Sequence, residues 1–313
     1  MEYRELGQTG LYVSRLCFGA LTIGPLQRGL SLEQGSQVLR RALDLGVNFI
    51  DTAELYETYD HIRLAVQGFE SSSLVVATKS YAYTRDGMLR SLERAQKGLG
   101  LEVIPVFLLH EQESSHTLRG HWPALEVLWE AKKAGVVQAV GISTHHVEGV
   151  LAASTIPGID VISPLFNVAG IGIQGGSRED MLLAILQAVE AGKGIYAMKP
   201  LGGGHLLGSW SRALSYLLDK PEIHSIAVGM KNIDEVESNV AFFQGRRDLA
   251  APKPATRRLH IDDWCVGCGG CVNACPNGAL EIRDGKARVV WPEQCVFCGY
   301  CGASCPEFAI KVI

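Results

Sequence analysis

Eight short apolar runs, separated by longer stretches with room for helices, fill the first three quarters of this chain and leave little choice of architecture. They cover residues 16–19, 47–52, 74–79, 103–110, 139–143, 161–166, 194–200 and 225–229. Between them lie amphipathic stretches at 32–45, 88–99, 123–134, 178–191 and 234–243. Such alternation signals a parallel sheet, because each return to the same sheet edge needs a crossover, usually a helix. Eight pairs in about 245 residues suit a (β/α)8 TIM barrel. Gly7 to Gly10 are turn residues ahead of the apolar Leu11 to Val13, which predicts a hairpin capping the barrel floor.

The last fifth of the chain obeys a different rule. Cys265, Cys268, Cys271 and Cys275 precede Pro276, and the same spacing returns in Cys295, Cys298, Cys301 and Cys305 before Pro306. Zinc sites or disulfides also use paired cysteines, but neither explains the third cysteine of each run or the two prolines. The pattern resembles the bacterial ferredoxin that carries two [4Fe-4S] clusters, in which the fourth cysteine of each run ligates the other cluster. The resemblance implies one cluster on Cys265, Cys268, Cys271 and Cys305, and a second on Cys295, Cys298, Cys301 and Cys275. Cys17 stands apart and reads as a buried structural thiol.

Two domains are expected from 313 residues that are 47% hydrophobic. The barrel is placed at 1–245 and a small α+β ferredoxin-like domain at 259–313. Residues 246–258, with Arg246, Arg247, Lys253, Arg257, Arg258, Pro252 and Pro254, read as the linker. A net charge of −4 supplies no electrostatic reason for nucleic-acid binding. No segment approaches the ~20 apolar residues of a membrane span, and a soluble cytoplasmic protein is expected.

Barrel geometry puts chemistry at the C-terminal strand ends. Asp51 ends the second run with Tyr56 five residues on, Lys79 ends the third, and His110 ends the fourth. Tyr56 is the candidate general acid. A nearby ammonium should lower its pKa from about 10, with Asp51 orienting Lys79 and His110 binding a substrate carbonyl or relaying the proton.

These segments resemble the aldo-keto reductase family in DTAELY (51–56), ATK (77–79), LLH (108–110), GIS (141–143) and VGMKNIDEVESN (228–239). AMKPLGGG (197–204) is similar to the subgroup with a C-terminal ferredoxin module. The resemblance implies a catalytic set of Asp51, Tyr56, Lys79 and His110, and NADP or NAD as cofactor. Its nicotinamide contacts fall on Ser143, Thr144, Ser163 and Met198, where only Ser143 keeps the family residue. Gly202 and Gly203 offer backbone amides to a pyrophosphate. Asn239 matches an adenine contact, and Lys231 faces a 2′-phosphate. Glu235 stands where an arginine often serves that phosphate.

Two functions follow. One is reduction of a small aldehyde or ketone by NAD(P)H, with electron transfer through the clusters and a redox protein as partner. The other is an iron-sulfur reductase or electron carrier whose barrel holds a flavin or another redox group. In a third reading the clusters only build a docking module. Residues 111–120 are read as a polar loop at the substrate entrance.

Overall fold

Eight parallel strands close into the expected barrel, with the last hydrogen-bonded to the first. They are β1 (Leu16–Gly19), β2 (Phe49–Asp51), β3 (Val75–Ser80), β4 (Ile104–Leu109), β5 (Val137–Thr144), β6 (Val161–Pro164), β7 (Gly194–Met198) and β8 (Ser225–Gly229). The computed structural model describes residues 1–69, 73–249, 258–295 and 299–312, except the side chain of Ala303; Cys298 and residues 250–257 of the expected linker lie outside them. Strand β7 stops before the end of its apolar run because Lys199 takes a left-handed φ of 56° and Pro200 has no N–H to donate.

Side chains alternate along each strand. Cys17, Phe49, Ala77, Leu108, Val161 and Tyr196 point inward and pack with Leu6 and Val13, while Phe18, Ile50, Val76, Phe107 and Ile162 join the helices in the outer core. Cys17 is fully buried, as expected, and burial raises its thiol pKa. Strands Tyr3–Glu5 and Tyr12–Ser14 form the floor hairpin. It is pinned to the strand starts by Ser14 N–H donating to Asn48 Oδ1 (2.6 Å) and Ser225 Oγ donating to the Ser14 carbonyl (2.7 Å).

Helices Leu32–Asp44, Arg85–Leu99, Trp122–Lys133, Arg178–Glu190 and Ile233–Phe243 match the five amphipathic stretches. Their starts are set locally: Ser31 with Gln34 and Ser177 with Asp180 form capping boxes, and Asn232 accepts from Glu235 N–H. The expected polar loop at 111–120 is corrected: it contains a helix, Ser115–Gly120, capped by Ser114 and Thr117. Polar composition concealed it. His116 and His121 bond within that segment, to Arg119 and to the Thr117 carbonyl.

The C-terminal module pairs Leu259–Ile261 with Ile310–Val312 and Leu280–Arg283 with Lys286–Val289, both antiparallel. Its core joins Cys271 and Cys301 to Leu280, Ala287 and Ile310. The module sits on the C-terminal mouth of the barrel. Phe308 inserts between Gly172 and Gly203, where a Cβ on Gly172 would collide with its ring. Gln174 Nε2 donates to the Pro306 carbonyl at 3.1 Å, and His205 lies against Gly299 and Gly302.

Candidate active site and cluster module

The inward parity of the strands carries Asp51, Lys79, His110, Ser143, Ser163 and Met198 to the upper interior of the barrel. Each lies an even number of residues from an inward core position on its own strand. A pleated backbone therefore brings together residues that are far apart in sequence. The turn after β2 then returns Tyr56 over the same opening. Glu54 anchors that turn by accepting from Ser80 Oγ (2.8 Å) and Ser91 Oγ (2.7 Å) and pairing with Arg94 (2.7 Å). Glu57 reverses the chain behind Tyr56 with a φ of 53°.

Lys79 Nζ lies 2.6 Å from Asp51 Oδ1 and donates to the Thr52 carbonyl at 2.8 Å. The same ammonium is 5.0 Å from the centre of the Tyr56 ring, which meets His110 edge-on at 5.7 Å. The four expected residues thus share one site. Their electrostatics correct one expectation, because the Tyr56 pKa is raised well above the ordinary tyrosine value rather than lowered. Burial is the main cause, and the Asp51 and Glu111 carboxylates and Tyr81 push the same way. Tyr56 therefore rests as a neutral phenol with a proton to give. Burial, with Lys79 and Lys199 adding to it, pulls His110 well below the usual histidine range, so its imidazole is neutral. His110 Nδ1 is buried with no hydrogen bond.

Two neighbours escaped the sequence reading. Tyr196 donates its hydroxyl to Asp51 Oδ1 at 2.8 Å, so Asp51 holds both a lysine and a phenol. Strand parity marks it, since Tyr196 stands two residues before Met198. Tyr81 stacks on His110 with centroids 4.3 Å apart and donates to Glu111 Oε2 at 2.5 Å. It lies just beyond β3, where no periodicity points.

The nucleotide candidates are less unified. Ser163 Oγ is buried without a full hydrogen bond, although it sits beside the Tyr196 phenol, and Met198 is partly open at the mouth. Those two fit a planar amide ring. Ser143 Oγ is already the acceptor for Glu111 N–H at 2.9 Å. Thr144 has the opposite parity and faces the helix Val147–Ser154, bonding His146 N–H at 2.9 Å. Its expected cofactor contact is therefore corrected. Asn239 spends its amide on Trp210 Nε1 (3.0 Å) and the Glu235 carbonyl (2.7 Å), and Lys231 Nζ lies 3.6 Å from Glu235. Gly203 faces Phe308 and Gly204 faces the Val312 carbonyl, so the glycine loop receives the module.

Within the module, Cys265, Cys268, Cys271, Cys275, Cys295 and Cys305 are free thiols. Burial raises the Cys271 pKa, and Cys305, Cys265 and Cys268 push it in the same direction, which places those four together. The backbone amides of Ala279 and Ala287 reach Cys275 Sγ (3.3 Å) and Cys265 Sγ (3.4 Å). Such amide donors suit thiolate ligands of an iron-sulfur cluster. Among the described residues no three His, Cys, Asp or Glu side chains converge as one metal ion requires. Thiolates on a four-iron cube stand farther apart than that.

A parallel barrel with an acid, a lysine, a tyrosine and a histidine at its mouth, joined to a cysteine-rich module, defines an oxidoreductase. The aldo/keto reductase family matches residues 15–212, and a 4Fe-4S dicluster domain matches residues 258–306. The chain belongs to the aldo/keto reductase family and is an enzyme carrying an iron-sulfur domain. It is similar to L-galactose dehydrogenase of Arabidopsis thaliana, 28% identical over 77% of this chain and 88% of that protein. It is also similar to 6-dehydroglucose reductase of Novosphingobium aromaticivorans, 23% identical over 65% of this chain and 70% of that one. The aldo-keto reductase AKR11C1 of Bacillus halodurans shares the fold with a TM-score of 0.65, at 20% identity over 81% of this chain and 93% of that chain. Among the described residues no helix is long and apolar enough to cross a membrane.

Proposed function

We propose that the barrel reduces an aldehyde or ketone of a small molecule, with Tyr56 as the proton donor. The observation that carries this is the convergence of Tyr56, Lys79, Asp51 and His110. Neutral Tyr56 donates to the carbonyl oxygen while Lys79 lies ready to stabilise the phenolate that results. Asp51, held by Lys79 and Tyr196, fixes the ammonium. His110 is neutral and polarises the same oxygen. Ser163 and Met198 would hold a nicotinamide, which would supply the hydride for the reduction. Pairing of Lys231 with Glu235 supports NAD over NADP, because a carboxylate already faces that ammonium and would repel a 2′-phosphate.

Residues 1–245 are read as the catalytic domain, joined by the linker at 246–258 to the cluster domain at 259–313. Cys265, Cys268, Cys271 and Cys305 would hold one [4Fe-4S] cluster, and Cys275, Cys295, Cys298 and Cys301 the other. Bound clusters would supply single electrons, which would suit a redox protein as partner. The covering of Gly203 by Phe308 favours a second reading, in which electrons for the barrel come through the module and a flavin or similar group.

Tyr56→Phe should lower carbonyl reduction by about 10²- to 10⁴-fold and leave nucleotide affinity nearly unchanged. Undiminished turnover of a panel of aldehydes would remove Tyr56 from the mechanism. Cys275→Ser should disturb the cluster that includes Cys295 and Cys301 and spare the other in low-temperature electron paramagnetic resonance; loss confined to the other cluster would refute the cross-ligation.

A further inference from the structure

On the side of the mouth away from Asp51, Lys199 stands one residue beyond β7 in a left-handed backbone conformation (φ 56°). A lysine held there is strained, and such strain persists where surrounding contacts enforce it. The contacts are specific. Lys199 Nζ lies 2.8 Å from His145 Nε2 and 3.9 Å from the centre of the Phe308 ring, which the cluster module contributes. Phe308 is itself left-handed, with φ 50°, and buried.

No carboxylate among the described residues pairs with this ammonium. Glu111, the nearest acidic group on that side, lies 3.6 Å from His145 and accepts from Tyr81. Among the described residues Lys199 joins no ion pair of its own. Burial pulls its pKa down to about 7, and Lys311 and Lys79 add to that fall against the pull of Glu111 and Asp262. The amine also adds to the depression of the His110 pKa, so the two share one electrostatic environment. Lys199, Met198, Tyr56 and Tyr81 each remain partly open to solvent, so they border an accessible recess. A cation withdrawn from water without a counter-ion is unfavourable, and an incoming anion relieves that cost.

We infer that Lys199, seated by His145 and Phe308, binds a negatively charged group on the substrate, so that the enzyme takes small aldehydes or ketones bearing a carboxylate or phosphate. Neutral His145 accepts from the ammonium and aims it, and Phe308 covers its far side. The anion approaches from the recess and accepts a charge-assisted hydrogen bond from Nζ. Its carbonyl lies toward Tyr56 and His110. The inference rests on the carbonyl site proposed above, and it gives the iron-sulfur module a direct part in substrate binding through Phe308.

The test is equilibrium binding without nucleotide, in the full-length Tyr56→Phe protein, so that no turnover is needed. Succinic semialdehyde and butanal differ mainly by one carboxylate. The first should bind about 10- to 100-fold more tightly, the range of a hydrogen bond to a charged group. Adding Lys199→Met should abolish that preference and change butanal affinity by less than about twofold, while Lys199→Arg should keep most of it. Equal weakening of both ligands by Lys199→Met would show a structural role and overturn the inference, as would a preference that survives the substitution or is absent at the outset. Weaker NAD(P)H binding with the preference intact would assign Lys199 to the nucleotide phosphate and overturn it too. Failure of the carbonyl reading appears separately, as full turnover by Tyr56→Phe.

Discussion

On the β2–β4 side of the barrel mouth, Lys79 is almost fully buried with its charge matched by Asp51 at 2.6 Å and a second N–H turned to the Thr52 carbonyl. On the β5–β7 side, Lys199 is partly open, leans on a neutral histidine and an aromatic ring, and has its nearest carboxylate committed to other partners. The same side chain at the end of two strands of one barrel therefore has two uses. Where the counter-charge is built in, the role proposed for the lysine is chemistry on a neutral carbonyl. Where it is missing, the protein leaves a place for charge carried by a ligand.

Removing each cation in turn gives the largest expected contrast. Among the described residues, Lys79→Met leaves buried Asp51 with Tyr196 as its side-chain partner, and breaking a buried pair from one side costs about 3–5 kcal/mol. For a chain of this size that is a fall in Tm on the order of 10 °C. Lys199→Met removes a cation that no carboxylate among the described residues compensates. It forfeits one cation–π contact of about 0.5–2 kcal/mol and regains the cost of withdrawing an ammonium from water, so stability should stay within about 1 kcal/mol of the parent. Calorimetric melting of the two variants decides it. Equal losses would mean that both lysines are structural and that the two sides of the mouth do not differ.

How much of this was readable in advance depended on whether the signal was local. The barrel was legible because strand and helix periods are written into each run, and the quartet was legible because strand ends define the mouth. Tyr196 is equally legible by parity, two residues before the strand end, but nothing in the sequence pairs its phenol with Asp51. Thr144 was misassigned because β5 runs one residue beyond its apolar run, which turns that side chain to the outer face. The Tyr56 shift was misjudged in sign because the neighbouring ammonium was visible in sequence, whereas burial and the nearness of Glu111 and Tyr81 were not. The seat of the module on the barrel was not legible at all. Gly172 reads as an ordinary loop glycine and Gly203 as a pyrophosphate contact until Phe308, more than a hundred residues away from either, fills the space they leave.

The smallest expected effect separates the two lysines by pH. Lys199 has a folded pKa near 7 against 10.5 for an ordinary lysine. Between those values the unfolded chain binds more protons at this position than the folded one, so stability due to Lys199 should rise with pH through that window and be flat below it. One site contributes at most about 1.4 kcal/mol per pH unit, and partial exposure of Lys199 reduces that. Other groups titrate in the same range, so the informative quantity is the parent minus Lys199→Met. The groups facing the amine are His145, Glu111, Lys79, Lys311 and Asp262. His145 has its pKa well below the usual histidine value, mainly through burial and next through Lys199, so it stays neutral from pH 7 upward and adds nothing to the difference. Groups whose titration Lys199→Met leaves unchanged cancel in the subtraction. Chemical denaturation at pH 7, 8 and 9 should show the parent gaining on Lys199→Met at each step. A flat difference would mean that the amine is solvated and fully charged throughout, and the distinction between a matched and an unmatched lysine would then rest on geometry alone.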